Sequence, residues 1–225
     1  MLKRLSCAIA LSFCLFGAVY GNSQEVEELN KAFADIRANV GGDALLLEAQ
    51  TFEVGIPEKG IPADMSRALK LYSQLYKLGN PIAAYKLGIF AWELQYNKDA
   101  FSKELVSIVS QTDGLDPALY FKNGSQQNKE IRYQEIAMLN GVTLGIYLFF
   151  YKDYKESIVA LNARADIADY SLSQLYLAFN YLKLNDTKMA NFYLNKACFN
   201  PKPQGSVMKF CSDEKFVAHK QGISQ

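Results

Sequence analysis

Residues 60–88 read GIPADMSRALKLYSQLYKLGNPIAAYKLG, and the spacing of their apolar side chains decides the fold. From Arg67 to Leu78, the residues Ala68, Leu71, Tyr72, Leu75 and Tyr76 recur at three and four, the period of one helical face. Gly79-Asn80 interrupts the pattern. Pro81 follows where a proline suits the first turn of a new helix, because it has no N–H to leave unpaired there. That second helix is predicted to run from Pro81 to about Gln95, with Ala83, Ala84, Leu87, Gly88 and Ala91 on one face. Side chains this small let another helix approach closely. The stretch therefore predicts two antiparallel helices joined by a tight turn.

The same residues resemble one Sel-one-like repeat, a relative of the tetratricopeptide repeat. The pattern of that family is Gly-Val, a short loop with Asp, then Ala, an aromatic, Gly, Ala and Leu-Gly. Gly60-Ile61, Asp64, Ala68, Tyr72, Gly79, Ala83 and Leu87-Gly88 take those places, while Leu75 and Tyr76 stand where the family has two alanines. Looser copies follow. Ala137-Met138, Gly141 and the apolar run Val142 to Tyr151 echo the second half. Asp153-Tyr154, Ser157, Leu161 and Ala165 open another hairpin whose partner helix is expected near Tyr170 to Leu182. Asp186 to Ala190, with Tyr193, Leu194, Ala197 and Cys198, resembles the first helix again. Ala44, Leu47 and the loop Gly55 to Ala63 look like the trailing half of an earlier copy.

The resemblance implies an all-α fold: a right-handed α-solenoid of stacked antiparallel helix pairs, a single domain over 22–225. Residues 97–127 do not fit the repeat, with Gly114, Asp116-Pro117 and Gly124-Ser125 as breakers. They are expected to form an irregular insertion holding one helix near Phe101 to Ser110.

Composition narrows the function. Of 225 residues, 50% are hydrophobic and 21% charged, which excludes a disordered or collagen-like chain. The formal charge is +1, so no basic surplus exists to neutralise a phosphate backbone, and nucleic acid is not an expected partner. At the N-terminus, Lys3 and Arg4 precede an uncharged apolar run from Leu5 to Val19, and Gly21-Asn22-Ser23 follows. This is the order of a secretory signal, with cleavage expected after Gly21 and a periplasmic or secreted mature chain. The run is shorter than the roughly 20 residues of a membrane span, so no stable membrane insertion is expected once the signal is removed. A retained anchor and a lipidated Cys14 are the alternatives, and bulky Phe13 speaks against the second. Cleavage removes Cys7 and Cys14, leaving Cys198 and Cys211, which an exported chain is expected to join as a disulfide.

Chemistry is hard to find in the sequence. His219 is the sole histidine, and no HExxH, GxSxG or phosphate-loop pattern occurs. Glu27 and Glu28 read as an acidic helix start rather than a catalytic pair. The expectation is a chain without cofactor or metal that is not an enzyme and that works by binding another protein. A hairpin alone buries one side of each helix, so stacked copies build an extended, rigid surface suited to a protein partner. Candidate lining residues are Arg67, Lys70, Ser73, Gln74 and Lys77 on the first helix of the clear hairpin, and Tyr85, Trp92 and Tyr96 on the second. Tyrosine and tryptophan carry much of the energy of interfaces. Core packing competes for Tyr85 and Trp92, and a solvated helix face for the cations. Exported members of the family are similar to adaptor, host-interaction and immunity proteins, so the partner is expected to be a secreted toxin or an envelope component. The alternative is a cell-wall-associated enzyme or a peptidoglycan-binding accessory protein.

Overall fold

The computed structural model describes residues 42–126, 131–165, 170–201 and 205–212. The expected signal and its cleavage point, Glu27, Glu28, Cys7, Cys14 and His219 lie outside the described residues. Among the described residues the chain is all-helical, with ten helices: α1 Gly42–Val54, α2 Met65–Lys77, α3 Pro81–Tyr96, α4 Lys103–Asp113, α5 Pro117–Gln126, α6 Gln134–Phe150, α7 Tyr154–Ala165, α8 Ser171–Lys183, α9 Thr187–Cys198 and α10 Gly205–Cys211. None of them is long and apolar enough to cross a membrane.

Short polar residues start the helices, as their hydrogen-bonding capacity dictates. The Asp64 carboxylate accepts from the Arg67 N–H at 2.9 Å, and Asn80 Oδ1 accepts from Ile82 and Ala83 at 2.9 and 3.1 Å. Asp116 caps α5 through Ala118, and Asp186 caps α9 through Met189. Between α2 and α3, Gly79 sits at φ 78°, the left-handed end at which glycine escapes the Cβ clash.

The described residues group into two compact units. The first holds those up to Leu75 together with Phe101–Thr112. In it the fully buried Glu48 of α1 accepts from the Arg67 guanidinium of α2 at 2.7 Å, and that guanidinium lies 3.8 Å from the centre of the Phe52 ring. Tyr72 donates to Glu53 at 2.5 Å. Ser66 and Lys70 of α2 both bind Glu104 of α4, and Thr112 donates to Ser73 at 2.9 Å.

The second unit comprises Tyr76–Ala100 and the residues from Asp113 on. There α3 packs on α5, α5 on α6, α6 on α7, α7 on α8 and α8 on α9, so neighbours in the series are neighbours in space. The alternate helices α3, α6 and α8 also touch in turn, and α10 closes on α8 and α9. Glycines set the closest approaches. A Cβ on Gly88 would stand 2.6 Å from the Phe121 ring, and one on Gly145 would stand 2.4 Å from Leu161. Cys198 and Cys211 join α9 to α10 as a disulfide, with Cα atoms 5.6 Å apart beside the buried Ala197 and Val207.

The segment expected to be irregular is largely helical. The helix predicted near Phe101 to Ser110 is α4, and α5 follows it. Pro117 and Gly124, read in sequence as breakers, have other duties. Pro117 opens α5, and Gly124 leaves room for the buried Asn140 of α6, which would lie 2.4 Å from a Cβ there. Asn140 in turn donates to the Pro81 carbonyl at 2.9 Å.

Candidate functional site

Trp92, Gln95 and Tyr96 occupy the last turn of α3 at i, i+3 and i+4, the spacing that places side chains on one helical face. The end of α6 offers the same pattern in Tyr147, Phe150 and Tyr151. The two helices touch, and their terminal turns form one aromatic cluster. Trp92 meets Tyr147 edge-to-face at 5.3 Å between centroids and lies 6.2 Å from both Phe150 and Phe121. Tyr147 and Tyr151 are 4.5 Å apart. Polar groups knit the rings together: the Tyr151 hydroxyl donates to Gln95 Oε1, and Gln95 Nε2 donates to the Tyr147 oxygen at 3.4 Å. Tyr96 and Tyr151 are hydrogen-bonded side chain to side chain.

The cluster is buried at its base and open at its top. Tyr96 is 64% exposed, Tyr151 46% and Phe150 39%, while Trp92 is half-buried and Tyr147 buried. Three neighbouring large rings are therefore exposed together as one apolar patch. Among the described residues the buried Trp92 Nε1 has no hydrogen-bond partner, so one donor remains at the base. Burial pushes the phenols of Tyr147 and Tyr151 up, so both stay neutral in the physiological range. Beside Trp92, burial also raises the Glu93 carboxyl, whose Oε1 is without a partner. The exposed rings are thus neutral and apolar, rimmed by amide and phenol groups, with the Glu93 carboxyl beside Trp92. They suit aromatic, aliphatic or proline-rich side chains, and equally the apolar face of a sugar ring.

The other candidates scatter. Tyr85 packs 6.2 Å from Phe121 and hydrogen-bonds Thr143, so it belongs to the packing between helices. Arg67 serves Glu48, and Ser73 is buried against Thr112. Lys70 is exposed beside exposed Glu104, with the Ser66 and Lys70 bonds holding that carboxyl below its ordinary range. Gln74 and Lys77 are exposed. Sequence reading missed Gln95, Tyr147, Phe150 and Tyr151, because the apolar run Val142 to Tyr151 reads only as the second half of a repeat, and nothing in it sets the exposed last turn apart from the buried part before it. The available signal was the repeated spacing, Trp92 to Tyr96 and Tyr147 to Tyr151. No protein-family model, no curated protein and no solved structure matches the chain.

Proposed function

We propose that the chain is an exported, non-catalytic scaffold of stacked Sel-one-like hairpins that binds another protein through the aromatic surface at Trp92, Tyr96, Phe150 and Tyr151. The exposed rings carry this reading: they rest on a rigid two-helix base, and their hydroxyls and amide are already oriented by one another, so little side-chain entropy remains to be lost on binding. The solenoid reading draws support from the serial packing of α3 and α5–α9 and from the second contact series α3–α6–α8. The Cys198–Cys211 pair fits an oxidising compartment such as the periplasm. An immunity protein that covers the working surface of a secreted toxin is the specific role this suits, since such a task needs a firm grip and no chemistry.

The test is capture from a periplasmic extract. The native chain is expected to recover a stoichiometric protein, and the double variant Tyr96→Ala/Tyr151→Ala to lose it by about thirtyfold or more, the scale of hot-spot truncation. Because the same rings also suit a sugar, purified cell wall is the control. Retention on cell wall alone, abolished by the same double variant, replaces the protein partner with a glycan and favours the accessory role.

A further inference from the structure

The Cys198–Cys211 bridge and the aromatic surface at Trp92 belong to different helices, and an unbroken series of ring contacts joins them. Helix α10 has 7 residues, Gly205–Cys211, too few to stay helical without packing. Two things hold it: the fully buried Val207, seated with Leu175 and Ala197, and the bond from Cys211 to the end of α9. Next to Cys211, Phe210 stands edge-on to Phe179 of α8, at 5.4 Å between centroids. Phe179 meets Tyr176 at 5.7 Å and Phe149 of α6 at 6.1 Å. Tyr176 in turn meets Phe149 at 5.5 Å and Phe150 at 6.3 Å, and Phe150 lies 6.2 Å from Trp92.

Phe179 is the joint of this series. With Leu172 it packs into two apolar clusters, one around Val142, Leu161 and Leu177, the other around Leu175, Ala197 and Val207, which α10 closes. Take Phe210 away, and Phe179 loses its neighbour on one side while Tyr176 and Phe149 remain on the other. Close-packed side chains answer such a loss by repacking rather than by keeping a void. Tyr176 and Phe149 are the rings on which Phe150 rests, so the repacking reaches the exposed surface.

The bridge decides whether Phe210 stays. Cys198 and Cys211 are half-buried, so a small dithiol reaches them. One thiolate of the dithiol attacks a sulfur of the bridge, the S–S bond breaks, and its second thiol resolves the mixed disulfide. Two electrons and two protons pass to the cysteines, leaving two thiols on the chain and a disulfide on the reductant. Helix α10 is then held by apolar contact alone and opens locally far more often.

We propose that the Cys198–Cys211 bridge is a redox switch on the Trp92–Tyr151 surface: the oxidised chain pins α10 and, through Phe210, Phe179 and Tyr176, fixes Phe150 in the arrangement that binds, and the dithiol chain has a loosened surface. The proposal rests on the reading of that cluster as the protein-binding surface, and it defers binding until the chain reaches an oxidising compartment.

Trp92 is the sole tryptophan, so its emission reports on this surface without any partner. The full chain is compared oxidised and in dithiothreitol, below the melting temperature of the reduced form. Reduction is expected to shift Trp92 emission to the red and to raise its quenching by acrylamide, with most helicity retained in circular dichroism. Cys198→Ser/Cys211→Ser is expected to give the reduced signature with or without dithiothreitol. Phe210→Ala with the bridge intact is expected to give it too, and reduction then adds little, since changes within one series are not additive. Tyr193→Phe, which removes the bond to Asn162 but no ring of the series, is expected to leave Trp92 unchanged. Identical Trp92 signals in the two redox states, a Phe210→Ala chain that behaves as the native one, a response to Tyr193→Phe, or general loss of helicity on reduction overturns the proposal. In periplasmic capture the Cys198→Ser/Cys211→Ser chain is expected to hold its partner about fivefold less well or worse, the lower end of allosteric coupling. If capture depends on Tyr96 and Tyr151 but is equal for this variant and the native chain, only the switch falls. If neither chain captures a partner while Trp92 responds as expected, the coupling stands and the protein-binding reading falls.

Discussion

At Arg67 the guanidinium is engaged by a fully buried carboxylate and an aromatic ring before any outside partner can reach it. Arg67→Ala is therefore expected to act on stability, removing the cation from Glu48 at a cost of about 2–3 kcal/mol, seen as a lower denaturant midpoint with partner capture unaffected. Glu93 makes the opposite case. Burial raises its carboxyl, so the ionised form opposes folding, and stability is gained as pH falls from neutral through the carboxylate range. The group is about half in solvent, which limits the effect. Glu93→Gln should raise the melting temperature by about 1 °C at pH 7, and the difference should vanish near about pH 4 in calorimetry at both pH values. Neither role was legible in the sequence, where a lone Arg on a helix face and a Glu beside a Trp carry no mark of burial.

Among the elements, caps and turns were the most legible. Asp64, Asn80 and Asp186 announce helix starts by their chemistry, and α2, α3, α7, α8 and α9 run where the apolar period places them. Helix α5 was not legible, because Pro117 and Gly124 break a helix only when nothing else needs them, and here a first turn and a facing Asn140 do. Glycines inside and outside helices should respond differently to substitution. Gly145→Ala forces a methyl group against the buried Leu161, and the clash outweighs the gain in helix propensity, for a net loss of about 1–2 kcal/mol. Gly79→Val meets open space, so its loss of about 1–2 kcal/mol comes from the left-handed backbone alone. Chemical denaturation distinguishes the two through a third variant. Gly79→Asn, which tolerates that backbone, should restore most of the loss, whereas Gly145→Ser should not.

For the whole molecule, the all-helical class of the described residues followed from the period of residues 60–88, and the Cys198–Cys211 bridge from the count of two cysteines left once the expected signal is set aside. The aromatic surface was half legible: Trp92 and Tyr96 stand out as residue types, but their partners on α6 are brought to them only by tertiary packing. The bridge closes a loop with a sequence separation of 13, which the chain-entropy model values at about 3 kcal/mol. Reductant should therefore lower the melting temperature by several degrees, and thiol reagent without reductant should label neither cysteine. A second consequence concerns time. From α6 to α10 each helix rests on the one made just before it, so this part of the polypeptide can take shape in the order of its delivery, like a stair laid one tread at a time.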